Sequence, residues 1–341
     1  MTAAPPERTT RATGATSVAA LGWGSYLPER EVDNAEVAAP TEVDAEWVQR
    51  KTGILSRRRA ADHEAASDLA TAAARRALEQ AGVAARELGV FVLATSTPDH
   101  PQPPTAALVQ HGLHAEGAAA FDINAVCSGF VFALGVARDM AVARGGYALV
   151  IGVDVYSRIL DPADQRTAVL FGDGAGAAVI GPLHGPDADR RGVRAVRLIT
   201  TGGANDLIKV PAGGSRVPPS VESVEAGEHW FTMDGRGVKE FVENNVPDAV
   251  AGFLADHDVP PERIDHLVTH QANGQMLDAL YPKLGLPGAR IHETVQRYGN
   301  TGAASIPVTL AEADPEIRPG DTVLLATFGG GMAMGFALID W

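Results

Sequence analysis

The chain has 341 residues, of which 45% are hydrophobic, and a formal net charge of −14 at pH 7. That length exceeds one ordinary small domain and points to two packed halves or one large α/β unit with a sizeable core. The acidic balance disfavours nonspecific binding to nucleic acid or to anionic membranes, though a local basic pocket for a phosphorylated ligand stays open.

Residues 1–16, rich in Thr, Ala and Arg and without an apolar h-region, are expected to form a disordered extension rather than a transit peptide. The one cysteine, Cys127, has no partner in the chain for a disulfide, which fits a reducing cytoplasm. No apolar run is expected to reach the length of a membrane span.

SVAALGWGSYLP, from Ser17, is the first strand expected. SDLATAAARRALEQAG follows as a helix, with Ser67 as N-cap and Gly82 just past its end. LGVFVLAT has the continuous apolar character of a buried strand. A proline-rich loop, STPDHPQPPTA, leads to a short helix, AALVQHGLH. FDINAVCSGF then joins a strand to a helical run around Cys127, and YALVIGVDVYS and GAGAAVIG are strands.

A polar linker, Gly181 to Gly192, precedes a second half that restarts with VRAVRLIT near Val193. A helix runs from about Gly237, with Pro247 expected to break or kink it. IDHLVTHQAN is strand and loop; NGQMLDALYPKLG and TGAASIPVTLAEA are helices; DTVLLATFGGGMAMGFALIDW is two strands around a glycine turn. The order of units repeats, which implies a layered α/β fold with helices buried between sheets. The halves divide into residues 17–185 and 186–341.

Most unpaired cysteines are small buried hydrophobes. Cys127 differs by its position where a strand turns into a helix, because N–H groups and the positive end of the helix dipole favour thiolate there. His270 ends an apolar strand and opens a loop, where a side chain is presented for function; the plain alternative is a hydrogen-bonded loop histidine. Asn300, between Gly299 and Gly302, is either a turn asparagine or a third member of a site. FGGGMAMG, Phe328 to Gly335, is a tight hairpin or a stretch whose N–H groups reach a ligand, as an oxyanion hole requires. His111 and His114 have no further ligands beside them, so no metal site is expected. FGDGAGAAVIG lacks a dinucleotide-binding context and AGGSR lacks the ending of a phosphate loop; both are read as structural turns.

Cys127 in DINAVCSGF, His270 in HQAN, Asn300 in YGNTGAASIP and the terminal FGGGMAMG, in that order, resemble the ketoacyl synthase III group of the thiolase superfamily. WVQRKTGILSRRR and FGDGAGA add to the likeness, which runs from about Ala19 to Trp341. Within the group, ATSTPDHPQPPTAALVQH, RGGYALVIGVDVYSRILDPAD, VPAGGSR and HQANGQML are most similar to the acetoacetyl-CoA synthases of mevalonate-pathway gene clusters.

The resemblance implies a thiolase-like fold of two duplicated βαβ halves in a five-layered αβαβα sandwich. It implies a decarboxylative condensation of acetyl-CoA with malonyl-CoA, with CoA thioesters as substrates, no cofactor, no metal and a homodimer. Cys127 would carry the acyl group, His270 and Asn300 would hold the enolate oxygen, and the N–H groups of Cys127 and Gly330 would form the oxyanion hole. Trp47 and Arg158 would sandwich the CoA adenine, Lys51 would meet its phosphates, and Gly235 and Asn273 would contact pantetheine. A reversible thiolase needs a second catalytic cysteine, which this chain lacks.

Some positions depart from the group. Gln275, Glu240 and Pro282 stand where basic residues commonly engage an acidic carrier protein, which favours free CoA donors. Gln102 replaces a phenylalanine that often gates the acyl pocket, leaving chain-length selectivity open. The alternatives are a ketoacyl synthase III that primes fatty acid or polyketide synthesis, an acyltransferase to an alcohol or amine, and a noncatalytic scaffold.

Overall fold

The computed structural model describes residues 18–182 and 192–341. The expected N-terminal extension lies outside the described residues, as does most of the linker, including the expected boundary at 185 and 186.

The first sheet contains β1 (Val18–Tyr26), β2 (Leu88–Ala94), β3 (Ala119–Ile123), β4 (Tyr147–Asp154) and β5 (Gly174–Pro182), in the order β1-β5-β4-β2-β3. The second contains β6 (Gly192–Thr200), β7 (His266–Thr269), β8 (Arg290–His292), β9 (Thr322–Gly329) and β10 (Ala333–Asp340), in the order β6-β10-β9-β7-β8. The two orders superpose strand for strand. In each sheet the two strands at one end run parallel to the central strand, and the two at the other end add antiparallel pairings. The repeat read from the order of units is therefore a repeat of topology.

Seven helices build the layers around these sheets: α1 (Ala45–Thr52), α2 (Ala66–Ala81), α3 (Thr105–Gly112), α4 (Gly129–Arg144), α5 (Gly235–Asp256), α6 (Gly274–Leu280) and α7 (Ser305–Ala313). Helices α2 and α3 cover the outer face of the first sheet, where Leu69, Ala73, Ala77 and Val109 meet Phe91, Leu93 and Leu149. Helices α4 and α7 fill the space between the sheets, with Phe130, Leu134, Ile306 and Leu310 packed against Val92, Val150, Val268 and Leu325. Helices α1, α5 and α6 cover the second sheet through Val48, Val246, Val250, Phe253 and Leu277. The result is the five-layered αβαβα arrangement.

Three local expectations change. Helix α2 begins one residue before Ser67, with Ala65 at the N-cap and the Asp68 carboxylate accepting the Ala65 N–H. The Ser67 hydroxyl instead donates to Asp99, at 2.6 Å, tying the helix start to the proline-rich loop. Helix α5 runs unbroken through Pro247, starting at Gly235. The buried face formed by Val242, Val246, Val250 and Phe253 holds it together, and the side-chain cap from Asp234 to the N–H groups of Arg236 and Gly237 secures its first turn. Finally, the run Val126–Arg144 does meet the length and apolarity of a membrane span, with a mean hydropathy of 1.6. Its apolarity has another cause: α4 is the central-layer helix, touching protein on both sides.

Candidate active site

Cys127 lies in a single 3₁₀ turn, Val126–Ser128, between β3 and α4. Val126 holds φ at +49°, an unfavourable value for a β-branched residue, and this bend turns Cys127 off the line of the strand. Ser128 anchors the turn by donating to the Ala333 carbonyl at 2.8 Å.

The glycine turn between β9 and β10 packs directly on this bend. A Cβ on Gly329 would lie 2.6 Å from the Cβ of Cys127, and one on Gly330 would lie 3.0 Å from a Val126 methyl. Only a glycine backbone comes this close. The N–H groups of Gly330 and of Cys127 both interact with the thiol, which marks the place where a thioester oxygen would meet two donors.

His270 follows β7 directly, and its backbone N–H extends the sheet by donating to Ala326 at 2.9 Å. The ring packs edge-on against Phe328, with centroids 5.6 Å apart. Its Nδ1 is buried with no hydrogen-bond partner among the described residues. Burial pushes its pKa down to about 3, so the imidazole is neutral near pH 7.

Asn300 is held by backbone on both sides. Its N–H donates to the Leu170 carbonyl at 2.9 Å, and its carbonyl accepts from Gly172 at 3.0 Å. The Oδ1 atom accepts from the Gly302 N–H at 2.9 Å, which leaves the amide NH2 for a ligand. FGDG, read as a structural turn, thus positions Asn300. Gln271 does similar work: its Oε1 accepts from Thr294 and Val295, fastening the segment that leads to Asn300.

One cavity of about 330 Å³ joins Cys127, His270 and Asn300, and Trp47, Lys51, Gly235 and Asn273 also line it. Asn273 caps α6 through Met276 and donates to the Lys51 carbonyl, linking α6 to α1. Gly329 lines the cavity, and Gly330, the next residue in the turn, does not. Arg158 does not line it; its guanidinium donates to the carbonyls of Ala61 and Glu64 on another face. Gln165 and Arg166 line the cavity instead, together with Lys239. With Lys51, two of these three residues make a cationic rim on an acidic protein, a feature that single residues in the sequence did not signal.

The expected thiolate character of Cys127 needs correction. The helix and glycine-turn N–H groups do favour thiolate, as does Tyr156, but burial and the Asp154 charge outweigh them and raise the thiol to about 12. Position at a helix start was legible; the dryness of the position was not.

The fold and this pocket, with a cysteine at a strand–helix bend facing a neutral histidine and an oriented asparagine amide, define a thiolase-like condensing enzyme, an acyltransferase. The chain belongs to the 3-oxoacyl-[acyl-carrier-protein] synthase III family: the family's 3-oxoacyl-[acyl-carrier-protein] synthase III model matches residues 121–202 and its C-terminal model residues 254–341. Among curated relatives, the acetoacetyl CoA synthase NphT7 of Streptomyces sp. (strain CL190) is 58% identical over 94% of this chain and 98% of its own. The β-ketoacyl-[acyl-carrier-protein] synthase III of Clostridioides difficile is 41% identical over 96% of this chain and 99% of its own. Among solved structures, the priming β-ketosynthase of the R1128 polyketide pathway superposes with a TM-score of 0.87 at 32% identity, covering 97% of this chain and 98% of its own.

Proposed function

We propose that this protein is an acetoacetyl-CoA synthase. It joins acetyl-CoA to malonyl-CoA and releases acetoacetyl-CoA, CO2 and CoA. The observation that carries the reading is the 58% identity to the Streptomyces acetoacetyl CoA synthase over nearly the full length, combined with a pocket that holds Cys127, His270 and Asn300 together.

Each residue has a role in the reading. The Cys127 sulfur attacks the acetyl carbonyl, and the N–H groups of Cys127 and Gly330 hold the oxyanion until CoA leaves. Malonyl-CoA then binds with its thioester oxygen beside His270 and Asn300. Loss of CO2 leaves an enolate, and the neutral imidazole and the asparagine amide donate to its oxygen. The enolate carbon attacks the acetyl-cysteine, and the cysteine sulfur leaves. A neutral histidine is suited to this work: it donates without needing to gain a proton. The steps call for no cofactor and no metal, because CO2 loss generates the carbon nucleophile.

The CoA arm enters past Gly235 and Asn273, and the nucleotide sits at Trp47 and the rim of Lys51, Arg166 and Lys239. Gln275, Glu240 and Pro282 weaken the surface for an acidic carrier protein. We assign a homodimer as the working unit: β3 ends its sheet, so its outer edge is open for continuing the sheet into a second copy. A reducing, cytoplasmic compartment suits the free thiol.

The test is incubation with acetyl-CoA plus either malonyl-CoA or a malonyl carrier protein, with the product identified by mass. Acetoacetyl-CoA as the main product supports the reading. Acetoacetyl-carrier product with malonyl-CoA unused favours the priming synthase instead, which the family also contains.

A further inference from the structure

Beside Cys127, among residues that do not line the cavity, lies a chain of hydroxyl groups, fully buried at Tyr156 and half-buried at Ser96, ending in a buried carboxylate. The roles assigned above leave it without work. Tyr156 is fully buried, and its hydroxyl stands close enough to the Cys127 sulfur for each group to shift the other's proton affinity. The same hydroxyl lies 3.0 Å from the Ser96 Oγ, and the Ser96 Oγ lies 3.0 Å from the Asp154 Oδ1. Asp154 is also fully buried, at the end of β4.

The surroundings hold this chain in place. Asp154 Oδ1 accepts from the Ser96 N–H at 2.8 Å, from Thr97 Oγ1 at 3.0 Å and from Thr95 Oγ1 at 3.2 Å, and Oδ2 accepts from the Ala303 N–H at 2.8 Å. The Tyr156 ring stacks on Phe171, centroids 4.4 Å apart, and meets Phe231 edge-on at 5.5 Å. Gly302, at φ +58°, closes over both: a Cβ there would lie 2.2 Å from Asp154 Oδ2 and 2.6 Å from the Tyr156 ring. A substituent would push the two apart.

We propose that Tyr156, Ser96 and Asp154 form a proton relay that removes the thiol proton of Cys127 as it takes the acyl group. This rests on Cys127 being the acyl-bearing nucleophile. With Asp154 ionised, Ser96 donates to Asp154, Tyr156 donates to Ser96, and the thiol donates to Tyr156. Attack on the thioester breaks S–H as S–C forms. One proton moves along each hydrogen bond and Asp154 gains O–H. Every donor in the chain then points the other way. CoA leaves as thiolate with the electron pair of the broken C–S bond and takes its proton from water.

Two physical points favour this route over direct ionisation. A second negative charge beside Asp154 is opposed by burial, and Asp154 itself raises the thiol. Moving the proton from sulfur to carboxylate keeps one charge in the dry site throughout. The histidine across the cavity is a poor proton acceptor, held neutral down to about pH 3, whereas burial lifts Asp154 only to about 6, leaving it ionised yet basic enough to accept. The titratable groups coupled to Asp154 in this network are Tyr156 and Cys127.

The test follows single-turnover acetylation of Cys127 by acetyl-CoA, read by protein mass, from about pH 5 to about pH 9 in H2O and in D2O. The parental rate should climb with a midpoint near 6, as Asp154 ionises, and then level off. Tyr156→Phe and Ser96→Ala keep the charge but break the chain, and should slow acetylation ~10²-fold and erase the solvent isotope effect. Asp154→Asn should lose the level region, its rate climbing with hydroxide throughout. A parental rate that climbs without levelling, or a Tyr156→Phe protein that matches the parental rate and isotope effect, overturns the relay. The parental profile decides alone if the variants do not fold. Acetyl label absent from Cys127 in the parental protein would instead withdraw the nucleophile assignment, and the relay with it.

Discussion

Gly329 and Cys127 stand so close that a methyl group on the glycine would lie 2.6 Å from the cysteine Cβ. The glycine turn of the second sheet thus presses onto the bend that carries Cys127. Gly329→Ala should push the turn, and with it the Gly330 N–H, away from the sulfur. Losing one oxyanion donor typically costs about 10²-fold to 10³-fold in rate. We expect single-turnover acetyl loading to fall by that order while circular dichroism stays parental. Unchanged loading would show that this turn does not hold the oxyanion.

Cys127→Ser should take up far less acetyl from acetyl-CoA than the parental protein, because a hydroxyl is a much weaker nucleophile at neutral pH. Peptide mapping after brief exposure to acetyl-CoA checks this. Equal labelling of the serine protein, or label at another residue, contradicts the assignment.

His270→Ala and Asn300→Ala should spare acetyl loading at least in part while CO2 release from malonyl-CoA falls by about 10²-fold to 10³-fold. His270 also predicts a stability trend. Its folded pKa, about 3, lies below the ordinary 6.5, so the unfolded chain binds the extra proton between those values. The stability associated with the neutral histidine is complete above pH 6.5 and declines as pH falls toward 3. Urea midpoints of the parental and His270→Ala proteins across that window check the sign: the parental midpoint should drop more steeply on acidification.

Arg166→Ala should raise KM for malonyl-CoA more than Arg158→Ala does, because Arg166 lines the cavity and Arg158 is spent on the carbonyls of Ala61 and Glu64. Steady-state kinetics at low and moderate salt give the comparison, with the Arg166 effect shrinking as salt screens the rim. A larger KM effect from Arg158 would restore that residue to the nucleotide site.

Gln275→Arg combined with Glu240→Lys should shift the ratio of kcat/KM values toward a malonyl carrier protein, mainly through the association rate. If the parental enzyme already prefers the carrier-bound donor, and that advantage falls steeply with salt, an unrecognised basic docking surface exists.

Sedimentation at assay concentrations tests the dimer. Active monomer would mean that the open edge of β3 is not a pairing surface.

The site was legible in unequal parts. Cys127 stood out as the chain's one cysteine at a strand–helix junction, and His270 as the residue after an apolar strand. Both signals are local, and both positions proved to be where the pattern placed them. Trp47, Lys51, Gly235 and Asn273 were carried by resemblance and do line the cavity. Arg158 was carried the same way and does not, because a motif preserves order along the chain but not the direction of a long side chain. Arg166, Lys239, Ser96, Tyr156 and Asp154 carried no pattern of their own. They acquire meaning only from the loops and strand ends that bring them to one place.

The sequence alone determined most of the elements, their repeated order and where Cys127 and His270 fall on them, because apolar periodicity and turn glycines act over a few positions. It did not decide that α5 would run through Pro247, since the packing of Val246, Val250 and Phe253 outweighs one lost backbone hydrogen bond. Nor did it decide the ionisation of the site. A helix start favours thiolate, but the thiol rises to about 12 and the imidazole falls to about 3 because both are enclosed by residues distant in the chain. Desolvation depends on everything that surrounds a group, and only the tertiary structure assembles those surroundings.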